Sequence, residues 1–229
     1  MSDRTEPLDR DFIEQNVPLK ATESDRHLGS HWQPAPTSEP TFYYFAYGSC
    51  MCPVDLARSL GEPTHHYVVG TGIVKNYRLG FYRRSLRRNC GALDIVPDPN
   101  SNVEGVLYRL PWRMSELLDE REEIPRNGYR HEFVNVYNCT QIYRNVRTYV
   151  VVDKLKEELA PNDWYFNVVL RGAVTCGLSE EYRWQLFHHM YELQKKSGCQ
   201  TNSQLGINCE LRRVNGRLFW SQYLSPKLG

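Results

Sequence analysis

The chain has 229 residues, a formal net charge of +1, 41% apolar and 24% charged side chains. That is enough chain for one sizeable core, and its near-neutral balance gives no electrostatic case for nucleic acid or an anionic membrane. No apolar run reaches the ~18 residues of a transmembrane helix, the first residues lack the apolar segment of a secretory signal, and seven scattered cysteines do not form a disulfide framework, so the expectation is a cytoplasmic protein with free thiols.

Residues 1–40 carry eight acidic and four basic side chains and five prolines. Such a segment buries too little apolar surface to offset its ordering entropy, and it reads as a flexible tail. Order is expected to begin at Thr41. Phe42 to Ala46 is an aromatic strand, broken by Tyr47-Gly48-Ser49-Cys50. Cys52 to Leu60 reads as a short helix with proline in its first turn and Gly61 behind it. Tyr67 to Val74, Tyr77 to Tyr82, Gly91 to Val96 and Val103 to Leu110 read as strands, and Met114 to Glu122 as a helix. Strands follow at Tyr129 to Tyr137 and Val146 to Val152. A helix capped by Ser179 runs to Gly198, with Tyr182, Leu186, Phe187, Met190 and Leu193 at helical spacing. Leu211 to Val214 and Arg217 to Trp220 flank Asn215-Gly216, a hairpin signal. Strands dominate without a βαβ rhythm, so the fold class is α+β. The division expected is a tail at 1–40, a domain at 41–198 and an extension with the hairpin at 199–229.

Two stretches carry chemistry. A strand–turn–helix with glycine in the turn can aim backbone N–H groups at an anion such as a carboxylate; Tyr47-Gly48-Ser49 has that pattern. Asp119, Glu120, Glu122 and Glu123 crowd four carboxylates into five residues. On a helix Asp119 and Glu122 share a face while Leu117 and Leu118 turn to the core. One carboxylate in a pocket would serve as general acid or base. Other motifs read blandly. Cys50-Met51-Cys52 lacks a second pair at zinc spacing; Cys50 becomes a reactive thiol only if its pKa is depressed. Arg83, Arg84, Arg87 and Arg88 read as a solvated hairpin tip, with nucleic acid or an anionic substrate tail as lesser alternatives.

Taken together, residues 42–51 resemble the opening strand and loop of the γ-glutamylcyclotransferase-like (AIG2-like) family, which reads Tyr-Gly-Ser-Asn or Tyr-Gly-Ser-Leu there. Leu118-Asp119-Glu120-Arg121-Glu122 resembles its Leu-Asp-x-x-Glu-Gly signature, with Tyr129 following. Val103 to Tyr108, Pro161 to Tyr165, Arg171-Gly172-Ala173 and Gly177-Leu178 resemble further family segments, so the likeness spans roughly residues 42–198. It implies a mixed β-barrel flanked by a few helices. It also implies conversion of a γ-glutamyl amine, amino acid or peptide to 5-oxoproline and the free amine. Glu122 would be the catalytic acid/base. Tyr47, Gly48, Ser49 and Cys50 would hold the γ-glutamyl group, and Tyr129 and Tyr165 would wall the pocket. The substrate amine is its own nucleophile, so no metal, nucleotide or other cofactor is required. Two departures stand out: Cys50 where the family has Asn or Leu, and Glu123 where it has Gly. Glu123 removes backbone freedom and brings a second charge beside Glu122, which would raise that group's pKa. The departures also leave open a non-catalytic interaction protein on the same fold, whose protein partner would meet the N-terminal tail or the C-terminal hairpin.

Overall fold

A computed structural model describes residues 39–197 together with the backbone of two strands, 207–214 and 217–224. The expected N-terminal tail lies almost wholly outside the described residues. Five strands close a barrel in the order β1–β3–β2–β4–β5, where β1 is Thr41–Ala46, β2 Val68–Ser85, β3 Cys90–Pro111, β4 Tyr129–Tyr137 and β5 Ile142–Val151. Neighbours are antiparallel except β1 and β5, which meet in parallel at Tyr44 and Arg147 and make the barrel mixed. Four helices flank it: α1 (Pro53–Leu60), α2 (Ser115–Arg121), α3 (Asp163–Thr175) and α4 (Glu180–Lys196). No described helix is long and apolar enough to cross a membrane.

The four strands expected between residues 67 and 110 are two long ones. The interruption at Lys75–Tyr77 is a register shift, not an end, and Asn76 sits there at φ 64°. A bulge of this kind bends a strand while keeping its partner, so the polar break in the sequence marks a kink. Phe45, Phe81, Leu93, Ile95, Leu107 and Tyr108 are buried. Arg147 is buried as well; its guanidinium donates to Ser115 Oγ at 2.6 Å and lies 4.2 Å over the Phe42 ring.

Helix α1 has its proline in the first turn and Gly61 in the left-handed conformation behind it, as expected from the sequence. The side chain of Ser179 caps α4 by accepting from the Tyr182 N–H. Helix α2 departs from expectation. Leu118 is buried, but Leu117 is 47% exposed, because the core-facing stripe runs through Met114, just before α2, and Leu118, four residues on, and leaves Leu117 to one side. Helix α3 has no counterpart among the expected elements. Its signals were local all the same: Asn162 accepts from the Tyr165 N–H at 2.9 Å as N-cap, and Tyr165, Val168, Val169, Gly172 and Ala173 form a buried stripe. Strands β6 (Ile207–Val214) and β7 (Arg217–Leu224) pair antiparallel in their own sheet.

Candidate active site

One cleft is lined by Tyr47, Gly48, Ser49 and Cys50 from the loop after β1, by Glu122 behind α2, and by Tyr129 and Tyr165. The motifs singled out in the sequence thus meet at one place. The loop leaves β1 and tightens into a 3₁₀ turn at Ser49–Met51. Its carbonyls are held from the core side. The Tyr108 hydroxyl donates to the Cys50 and Met51 carbonyls at 3.0 and 3.1 Å, and the Cys176 thiol donates to Met51 O at 3.3 Å. Helix α3 comes close enough behind the loop that a Cβ on Gly172 would lie 2.6 Å from the Cys52 nitrogen; glycine is required there for backbone contact. The amides of Met51 and Cys52 donate within the turn, to Gly48 and Ser49.

Behind the loop lies a buried cation that the sequence reading passed over. The Arg121 and Asp55 side chains are 5% and 7% exposed and pair at 2.6 Å. Arg121 also donates to Ser59 Oγ, to Ser49 Oγ at 3.2 Å and, through Nε, to Cys50 Sγ at 2.9 Å. The Cys50 thiol in turn donates to Glu122 Oε1 at 3.1 Å. Burial pushes this thiol up to about 12, against the opposing pull of Arg121. Cys50 is therefore a neutral hydrogen-bond relay between guanidinium and carboxylate.

The remaining carboxylates of the run are engaged elsewhere. Asp119 Oδ1 accepts from the Tyr149 hydroxyl at 2.6 Å and meets His131 Nε2 at 2.7 Å. Glu120 pairs with Arg126 on the surface. Glu123 pairs with Arg83, whose guanidinium also donates to Gly128 O at 3.0 Å and lies 5.2 Å over the Tyr129 ring. Glu123 adopts φ 56°, the left-handed conformation that glycine would take without cost. The replacement thus kept the turn, and its new charge is matched by Arg83 rather than left facing Glu122. The Tyr129 hydroxyl donates to Leu93 O at 2.9 Å, and the Tyr165 hydroxyl accepts from Leu93 N at 3.1 Å. Both phenols are pushed up by burial and clamp β3 while their rings form wall. Among the described residues no cluster of three or more His, Cys, Asp or Glu converges as a metal site.

Comparison with known proteins places this geometry. Residues 102–186 match the AIG2-like family model. Over 161 residues the chain is 35% identical to YkqA of Bacillus subtilis (strain 168), provisionally named a γ-glutamylcyclotransferase; the match covers 69% of this chain and 55% of that protein. The domain is AIG2-like. The crystal structure of YkqA superimposes with a TM-score of 0.61 at 33% identity, over 68% of this chain and 56% of YkqA. A structure titled γ-glutamyl cyclotransferase gives a TM-score of 0.59 at 23% identity, over 64% of this chain and 86% of its own, which shows a shared fold. The chain spans about half the length of the curated relative it matches.

Within the AIG2-like domain, the structure refines the reading at three places. Gly48 does not adopt a glycine-only backbone angle: its φ is −121°. Space makes it a glycine, since a Cβ there would lie 3.2 Å from the Tyr165 hydroxyl. Gly48→Val is expected to push that ring and fill the cleft, with loss of substrate binding and most of the fold retained. Normal affinity in calorimetric titration would remove the loop from the site. The second concerns Cys50: the condition for a reactive thiol is not met, because burial raises its pKa. All five described cysteines are free. Iodoacetamide at pH 8 is expected to modify exposed Cys139 and spare Cys50, as read by peptide mass spectrometry; fast labelling of Cys50 would contradict its burial. The third is a correction, of the arginine run read as a solvated tip. Arg84 and Arg87 are exposed, but Arg83 and Arg88 are half-buried and line the cleft.

Proposed function

We propose that the protein is a γ-glutamylcyclotransferase acting on a γ-glutamyl amine, amino acid or peptide, with Glu122 as the catalytic acid/base. One observation carries this reading. Of the four carboxylates between Asp119 and Glu123, three are bound by His131 and Tyr149, by Arg126 and by Arg83, whereas Glu122 meets Arg121 only at 3.9 Å and faces the glycine loop through Cys50.

The chemistry needs little else. The substrate α-carboxylate rests on the amides that open the loop at Gly48, Ser49 and Cys50. Glu122 takes a proton from the α-ammonium, and the freed amine closes on the γ-carbonyl carbon. The C–N bond to the leaving amine breaks as the lactam forms: Glu122 returns its proton to the departing nitrogen, and the ring nitrogen gives up its second proton, which ends on the released amine as its ammonium. Holding the chain folded for this five-membered closure is a proximity effect, worth up to ~7–11 kcal/mol in favourable cases. The walls of Tyr129 and Tyr165 enforce that fold on the substrate. The test is incubation of pure protein with a panel of γ-glutamyl amines, amino acids and peptides, reading 5-oxoproline by mass spectrometry. Formation of 5-oxoproline is expected; none from any member of the panel overturns the reading.

A further inference from the structure

Arg88 has no role in the chemistry above. It leaves the turn between β2 and β3 and lines the cleft. Its guanidinium lies 5.2 Å over the Trp164 ring and 5.5 Å over the Tyr165 ring. Its Nε is buried and has no hydrogen-bond partner, and among the described residues the side chain forms no ion pair. Buried donors are almost always satisfied, so an orphan in a cleft points to a missing acceptor. The residue is also held in place. The Asn162 side chain donates to Arg88 O at 2.8 Å, and the same Asn162 caps the helix that carries Trp164 and Tyr165.

Charge accounting narrows what that acceptor is. Arg121 lies 3.9 Å from Glu122 but is matched by Asp55 at 2.6 Å, and Arg83 is matched by Glu123. Glu122 and Arg88 then remain as one negative and one positive group on the cleft walls. Resting on the cyclotransferase reading, the substrate ammonium meets Glu122 and the α-carboxylate meets the loop amides. A second anion on the substrate is needed to match Arg88. We propose that Arg88 is the specificity residue of the cleft, selecting γ-glutamyl compounds whose leaving amine bears a carboxylate over those whose leaving amine bears no anionic group. A planar guanidinium stacked on aromatic rings suits a carboxylate, which it can bind through two parallel N–H donors.

The experiment compares γ-glutamyl-alanine with γ-glutamyl-ethylamide, which differ by that carboxylate. The parent protein is expected to favour the dipeptide roughly ten- to hundredfold in kcat/KM, the worth of a charge-assisted hydrogen bond. Arg88→Gln is expected to bring the ratio near one, the loss falling on the dipeptide through KM. Arg87→Gln, on the exposed side of the same turn, keeps the parent ratio. Equal use of both compounds by the parent, with 5-oxoproline formed from each, overturns the role of Arg88 and leaves the cyclotransferase reading standing. If neither these compounds nor any other member of the panel yields 5-oxoproline, that reading fails, and calorimetric binding decides on Arg88. Dipeptide preference lost in Arg88→Gln supports the selection, and equal or absent binding of the two compounds overturns it.

Discussion

Glu122→Gln is expected to lower turnover at least a hundredfold, with a melting temperature and substrate affinity near those of the parent. The α-amine of a γ-glutamyl compound is mostly protonated near neutral pH and cannot attack until it loses that proton. Glutamine keeps the size of the side chain and an oxygen that can accept from the Cys50 thiol, but it cannot take the proton. General acid–base groups contribute on the order of 10²–10⁴ in rate. Stability is expected to hold because Arg121, 3.9 Å from Glu122 Oε1, keeps Asp55 as its closer counter-charge at 2.6 Å. Glu123→Gln is the matched control. It loosens a partly exposed pair with Arg83 and should change turnover only modestly, chiefly through the pH profile. Steady-state rates and thermal melts of both variants decide the matter. Normal turnover in Glu122→Gln with a dead Glu123→Gln would place the acid/base one residue along.

The strands, the glycine loop and the acidic run were legible because their signals are local: aromatic strands, a Tyr-Gly-Ser turn, a Leu-Asp-x-x-Glu run; closure into a barrel and the choice of Glu122 came from the family resemblance. What separates Glu122 from its three acidic neighbours was not legible. His131, Tyr149, Arg83 and Cys50 lie 12, 30, 40 and 72 residues from the carboxylates they contact. A single sequence shows four similar carboxylates; only tertiary partners rank them. Asn76 misled for a different reason. A polar residue with left-handed preference reads as a strand end, whereas in the barrel the neighbouring strand carries the pairing past it. Helix α3 was missed although Asn162 and its apolar stripe were visible. The stretch reads well as apolar sequence of either kind, and its cap would have arbitrated. Arg88 shows the limit in the other direction. Four arginines around a turn look solvated, but Trp164 of α3 holds Arg88 at the cleft, and Glu123 and Tyr129 hold Arg83 there.

Arg121→Met is expected to destabilise the fold more than any other single substitution named above. The Arg121 side chain is 5% exposed, and its fork reaches three segments at once: Asp55 and Ser59 on α1, Ser49 and Cys50 in the loop, and Glu122 beside it. Methionine fills much of the volume but leaves Asp55 buried without its cation. Removing one partner of a buried pair costs about 3–5 kcal/mol, mostly because of the charge left behind. At about 2–4 °C per kcal/mol for a domain of this size, the melting temperature should fall by roughly 6–20 °C. Replacing Asp55 as well, in Arg121→Met with Asp55→Leu, removes the stranded charge and should restore a large part of that loss. Arg121→Lys should rescue little, since one ammonium cannot reproduce donors spread over Nε, Nη1 and Nη2. If the double variant is as unstable as the single one, the pair is not what holds α1 to the loop. Activity adds a second readout. With Asp55→Leu present and the fold recovered, the loop still lacks the donors to Ser49 and Cys50, so KM should stay raised while the melting temperature returns.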